Sequence, residues 1–151
     1  MTGRQMFPWV LAALLIAFGW QTLRSVDRIT ASRLLSNVEA RTHAAILARH
    51  APSTMFAEHL AWLETAARLD PLEVGIPTAR GAQFLLLRRP DDALAAYRQA
   101  AALEPRPEID VNIGRALLMK GDREQARVMF RRAVQLNPRL RAEVPPGELD
   151  Q

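Results

Sequence analysis

The sequence predicts an all-α protein: an N-terminal transmembrane helix continuing into an amphipathic stalk, then a short right-handed solenoid of helical hairpins. Three observations carry this. The run from Met6 to Trp20 holds no charged residue. Apolar residues then recur at spacings near three and four, with no Gly or Pro between residues 21 and 51. Beyond that point the chain repeats itself at a period of 33 or 34 residues, as stacked two-helix units do.

With 151 residues and 49% hydrophobic content, the chain suffices for one ordinary domain plus an appendage. It contains no Cys, which excludes disulfides, thiolate metal sites and Cys nucleophiles and leaves no redox argument about the compartment. The basic residues are 19 Arg and one Lys, a bias that reflects a GC-rich genome rather than guanidinium chemistry at every position. The net charge of +4 is unevenly placed. Residues 1 to 53 carry six Arg against Asp27 and Glu39, residues 54 to 105 five basic against seven acidic, and residues 106 to 151 nine against seven. An excess beside the apolar N-terminus suits anionic lipid headgroups. The later Arg residues are interleaved with acids, which argues against nucleic acid as a partner.

The uncharged run extends through Gln21 and Thr22 to Leu23, close to the roughly 17 residues a membrane-crossing helix requires. Trp9 and Trp20 lie near its ends, where indole rings favour the headgroup region, and Arg4 and Arg24 flank it. A cleaved signal peptide is the competing reading, since Ala17 and Gly19 are small residues suitably placed before Trp20. A very short leading region with a single Arg favours a retained anchor. Leu23, Val26, Ile29, Leu34, Val38, Ala45 and Ile46 then mark one stripe of a helix expected to reach about His50, before Pro52. That stripe must bury against the repeats or a partner. Arg24, Arg28 and Arg33 outnumber Arg4 and the terminal amine, which by about one charge would place the rest of the chain in the cytoplasm. An uncleaved signal anchor in bacteria nevertheless usually exports the domain C-terminal to it. The expectation is a single-pass protein of the bacterial inner membrane whose repeats lie in the periplasm.

The period is marked by Pro71, Pro105 and Pro138. At matching distances before them stand Ala66, Ala100 and Ala133, then Leu63, Tyr97 and Phe130, then His59, Ala93 and Ala126. Upstream, Gly81 with Phe84 corresponds to Gly114 with Leu117. This pattern resembles the tetratricopeptide repeat (TPR) family. The unit from about Pro107 to Leu140 matches best, with Ile113, Gly114, Leu117, Gly121, Ala126, Phe130, Ala133 and Pro138 on the family's positions and Asp110 where the consensus has Trp. The unit from about Val74 to Arg106 keeps Gly81, Phe84, Ala93, Tyr97, Ala100 and Pro105, with Pro77 at the Trp position and Arg80 beside the Gly. The first, from about Ser36 to Asp70, preserves only its second helix and has Leu47 in place of Gly.

Small residues at 81, 93, 114 and 126 are expected where the two helices of a unit cross, since a larger side chain would hold their axes beyond the usual ~8–10 Å. Tyr97 and Phe130 are expected to fill the gap between adjacent units, Pro105 and Pro138 to end second helices, and Asp91 and Asp122 to stand at helix N-caps. The resemblance implies a concave face formed by the first helix of each unit. Carried over, that face presents Thr78, Ala82, Leu85 and Leu86 from one unit and Glu108, Val111, Asn112, Arg115 and Met119 from the next. It would be an apolar groove with a polar edge, where Asn112 can bond a ligand's backbone and Arg115 a carboxylate. The Lys and Asn pairs with which relatives clamp the C-terminal carboxylate of chaperones are missing.

The organisation expected is an anchor at 1–23, a stalk and first repeat helix at 24–52, repeats at 53–140, and a flexible tail at 141–151, because Pro145, Pro146 and Gly147 follow soon after Pro138. Without a capping helix, the face of the last helix around Val128 and Val134 would need the stalk, a second copy or another subunit to cover it. His43, His50 and His59 have neither Cys nor a completing acid at a metal-binding spacing, and no phosphate loop, nucleophile elbow or paired acids are present. The expectation is therefore no cofactor, no metal and no catalysis. It is a scaffold whose partners are other proteins of an envelope complex, with lipid along residues 6–23 and a homo-oligomer as a further possibility. The alternative is a structural subunit of a filament, since an apolar helix continued by an amphipathic one is pilin-like in outline and an uncapped array can stack head to tail.

Overall fold

Helix α1 runs unbroken from Phe7 to Leu47, 41 residues or about 60 Å. The structure, a computed structural model, describes residues 7–49 and 52–149, with 7 and 8 by backbone only. Arg4 and His50 fall outside them. After α1 come α2 (Ser53–Leu69), α3 (Gly75–Leu86), α4 (Pro90–Leu103), α5 (Pro107–Lys120), α6 (Arg123–Leu136) and a 3-10 helix at Pro138–Glu143, with no strand among the described residues. Each helix packs on the next, most extensively within the pairs α1–α2, α3–α4 and α5–α6.

The two halves of α1 live in different surroundings. Its N-terminal half is apolar enough to cross a membrane, and none of that window is buried by the rest of the described chain. From Ala31 onward the helix is the first helix of a repeat: Ala31 and Val38 share a core with Leu63 and Ala66 of α2 and Ile76 and Ala79 of α3, and Ala45 is buried one heptad further along. The stripe read from spacing is therefore partly displaced. Leu23, Val26, Ile29 and Ile46 stay exposed, because close helix contact selects small side chains rather than the largest apolar ones. α1 stops without Gly or Pro. Arg49 takes φ 52° just after the helix and Pro52 follows, so the chain turns through a left-handed residue.

Within each later pair, an aromatic ring lies directly on a glycine. A Cβ at Gly81 would sit 2.5 Å from Tyr97 Cε1, and one at Gly114 would collide with the Phe130 ring in the same way. The rings thus occupy the inside of their own hairpins, α3–α4 and α5–α6, rather than the seams between units. Both are almost fully buried in one apolar cluster that includes Ala93, Ala100, Val111, Leu117, Ala126 and Ala133. The position of the consensus Trp is filled differently in each unit. Pro77 lies in the first turn of α3, where the missing amide hydrogen is not needed. Asp110 is buried in the first turn of α5 with its Oδ2 3.2 Å from Arg132 Nε. Burial raises the Asp110 carboxyl above its usual range, and the Arg132 charge opposes that rise.

The turns repeat with the same period. Gly121, at φ 95°, ends α5, and the Asp122 amide reaches back to the Leu117 carbonyl at 2.9 Å. At the corresponding turn Arg88 adopts φ 59°, and the Arg89 amide donates to the Phe84 carbonyl at 2.8 Å. Asp122 caps α6 as expected, accepting from the Gln125 amide. Asp91 does not cap α4, because Pro90 with its preset φ begins that helix. Instead Asp91 accepts from Lys120 Nζ at 2.6 Å, fastening α4 to the end of α5. Pro105 and Pro138 follow extended residues, Glu104 and Asn137, at which α4 and α6 already end.

The segment expected to be a flexible tail folds back instead, over its described residues. Leu140 and Val144 are buried in the main core, and Leu149 packs against it. Glu148 is almost fully buried, accepting from Arg123 Nη2 at 2.7 Å and Arg127 Nε at 3.1 Å. The 3-10 helix contacts both α5 and α6, as the first helix of a further unit would. The sequence conceals this because Pro145, Pro146 and Gly147 forbid a regular helix while leaving an irregular cap possible. Val134 is thereby partly covered, while Val128 remains exposed.

Two outcomes test this packing. Gly114→Leu forces side-chain atoms into the Phe130 ring and should abolish cooperative thermal melting, exceeding the ~1–3 kcal/mol typical of overpacking. For Glu148, hydrogen bonds from Arg123 and then Arg127 hold the carboxyl below its usual 4.5. A folded pKa that is depressed stabilises above the unfolded value and ceases to do so as pH falls through the folded one. Glu148→Gln should therefore lower Tm at neutral pH, with the gap to wild type closing on acidification below the usual carboxylate range.

Candidate partner-binding groove

The first helices α1, α3 and α5 lie side by side, with α3 touching both of its neighbours. Between them is a groove of about 480 Å³. Val38, Thr42 and Ile46 come from α1, Thr78 and Ala82 from α3, and Asn112 from α5, with Tyr97 reaching in from α4. Thr and Ala at 78 and 82 follow the one-turn spacing that puts residues on one face, and their small size keeps the trough open. The Tyr97 ring is almost fully buried, and that burial raises its phenol well above its usual range against the opposing charge of Arg115. Glu39 and His43 are exposed on the α1 side and add a polar edge.

Beside the groove three polar side chains from three helices form a closed triangle. His59 Nδ1 of α2 lies 3.2 Å from both Thr42 Oγ1 and Gln83 Oε1. Gln83 Nε2 donates to Thr42 Oγ1 at 3.0 Å. A proton on Nδ1 serves the Gln83 carbonyl, and Thr42 accepts from the Gln83 amide. His59 and Gln83 are buried, and His59 Nε2 has no protein partner. The triangle fixes the register of α1 against α2 and α3, assisted on the surface by Arg41, which pairs with Glu58 and stacks 4.9 Å from the Trp62 ring.

Of the nine concave-face residues expected from sequence, the structure brings Thr78, Ala82 and Asn112 to this groove. Val111 is fully buried in the core and offers no contact surface, while Leu85 is half-buried against that core and does not line the groove. Leu86 and Met119 are exposed away from the trough, and exposed Glu108 accepts from Asn137. Arg115 is already engaged: it donates to Asn112 Oδ1 at 3.1 Å and to the Glu143 carbonyl at 2.8 Å, holding the C-terminal segment. The α1 contribution was missed, although Thr42 and Ile46 are one turn apart and Val38 one turn before them, a signal available from spacing alone.

At the other end, Trp9, Trp20 and Leu23 are exposed and Arg24 lies 5.2 Å over the Trp20 ring. Among the described residues, no group of His and acidic side chains is arranged to hold a metal ion.

The architecture is shared with solved TPR proteins. A thermophilic TPR protein of Thermus thermophilus superposes with a TM-score of 0.68 at 25% identity, over 82% of this chain and 66% of that one. This chain therefore spans just under two thirds of that protein. The first TPR of Spaghetti (RPAP3), bound to an HSP90 peptide, superposes with a TM-score of 0.63 at 18% identity, over 74% of this chain and 82% of that one. Neither a protein-family model nor a curated protein matches the sequence. The chain has a TPR-like helical repeat fold.

Gln83→Leu tests the triangle. It leaves the His59 ring without the Gln83 acceptor and Thr42 without its donor, and should cost about 1–3 kcal/mol in chemical unfolding. An unchanged midpoint would show that the triangle contributes nothing to register.

Proposed function

We propose that the chain is a membrane-anchored adaptor that holds other proteins in a complex of a bacterial envelope. Residues 1–23 serve as the anchor, 24–52 as stalk and first repeat helix, and 53–140 as the repeats. The observation that carries the reading is that one helix supplies both parts: α1 is long and apolar enough to span a bilayer, and its C-terminal half forms a wall of the groove. Trp9, Trp20 and Arg24 then sit at the membrane interfaces and the repeats in the periplasm, anchored to a bacterial inner membrane.

The groove supports binding rather than chemistry. Its lining is apolar with a few hydrogen-bonding groups, Thr42, Thr78 and Asn112, each already bonded once within the chain and keeping further capacity that can fix a peptide's backbone. The Spaghetti domain carries a peptide of another protein. A protein segment is the occupant we propose here, without the carboxylate clamp whose Lys and Asn residues this sequence lacks. The filament alternative loses part of its motive, since the C-terminal segment covers the end of the array on which a further copy would stack.

Photocrosslinking in native membranes tests this. A probe at Ala82 should give discrete adducts with other membrane or envelope proteins, and the same probe at exposed Ala102 should not. Equal adducts from both positions would remove the groove from the reading. Release of the protein by alkaline extraction would remove the anchor.

A further inference from the structure

A second pocket of about 480 Å³ lies away from the partner groove, between α1 and the turn that joins α2 to α3. Trp20, Leu23 and Arg24 line it from one side, and Leu69, Pro71 and Leu72 from the other. The turn therefore stands at the axial level where the uncharged stretch of α1 ends. Both segments change character there. On α1, Leu23 is followed by Arg24, Asp27 and Arg28; on the turn, Pro71 and Leu72 stand between Asp70, whose Oδ2 lies 3.9 Å from Arg28 Nε, and Glu73, whose carboxylate turns back to accept from the Gly75 amide. Leu72 is 72% exposed and Trp20 61%, so apolar side chains from two separate parts of the chain stand open to solvent around one pocket, beside shared charged residues.

We infer that the α2–α3 turn is a second membrane contact, with Leu72 seated in the interfacial layer of the leaflet that α1 leaves at Trp20 and Arg24. The inference rests on the reading of α1 as a membrane span. The occupant is a lipid bilayer, selected by continuity with that span: a surface enclosing α1 up to Leu23 reaches the pocket that Leu23 and Leu72 line together. Arg24 and Arg28 take the headgroup level, Arg24 over the Trp20 ring and Arg28 beside Asp70. Two contacts separated across the helix diameter hold the repeat array at one tilt to the membrane, which a single span does not.

Because the protein has no Cys, single spin labels can be placed cleanly. The full chain is reconstituted in liposomes of phosphatidylethanolamine and phosphatidylglycerol with a nitroxide at Leu72→Cys, Leu14→Cys or Ala102→Cys. Accessibility to oxygen and to a water-soluble nickel chelate gives the depth of each. The label at 72 should lie in the interfacial layer, at least several-fold less accessible to nickel than the label at 102; equal accessibility at 72 and 102 overturns the inference. A buried label at 14 with an aqueous label at 72 overturns this contact and leaves the anchor standing, whereas an aqueous label at 14 removes the anchor and this contact with it. Since a label can itself seek lipid, amide exchange is also compared in unlabelled proteins. The amides of residues 72 and 73 should exchange more slowly in wild type than in Leu72→Asp when bound to liposomes, and identical rates overturn the inference.

Discussion

The contact on which the repeat array depends is an aromatic ring laid flat against a backbone that has no side chain. Gly81 under Tyr97 and Gly114 under Phe130 let paired helices approach until the ring itself becomes the spacer. The rest of the array is set by that distance. Ala93, Ala100, Ala126 and Ala133 are fully buried because second helices brought this close leave room only for methyl groups. The groove stays open because the α3 residues that line it, Thr78 and Ala82, are small as well. The first pair reaches its packing by other means, through Ala31 and Val38 and the polar triangle of Thr42, His59 and Gln83.

The fold was largely readable because its determinants are local and periodic. Pro, Ala and large-ring positions recur at one spacing, and an uncharged stretch of fixed length marks α1. What could not be read depends on which of several helical faces is chosen. The apolar stripe Leu23, Val26 and Ile29 fits a helix as well as Ala31, Val38 and Ala45 do, and only the packing partner distinguishes them. Val111 was misplaced for a related reason, since carrying over a concave face by homologous position ignores how much of that face neighbours cover. Arg88 in a left-handed turn had no sequence signal at all, as the corresponding turn uses Gly121.

The C-terminal segment shows how a cap can be built without a helix. Pro145, Pro146 and Gly147 read as a break, yet the break allows Glu148 to turn back under Arg123 and Arg127. Two guanidinium groups on one helix face and an acid more than twenty residues later leave no periodic trace. Arg115 contributes from the opposite side by binding the Glu143 carbonyl. A residue suited by type to meeting an external carboxylate thus spends its hydrogen bonds on its own chain.

The unbroken course of α1 from Phe7 to Leu47 has a mechanical consequence. A repeat domain on a flexible tether samples a hemisphere around its attachment point, and the orientation of its binding face averages out. Here no hinge separates the apolar half of α1 from the half that walls the groove. The groove has a fixed height and azimuth relative to whatever grips the first half. A pull on an occupant becomes a torque on the same rod, and a rotation of the rod about its axis sweeps the groove opening through the same angle. The helix is therefore a lever as well as a wall.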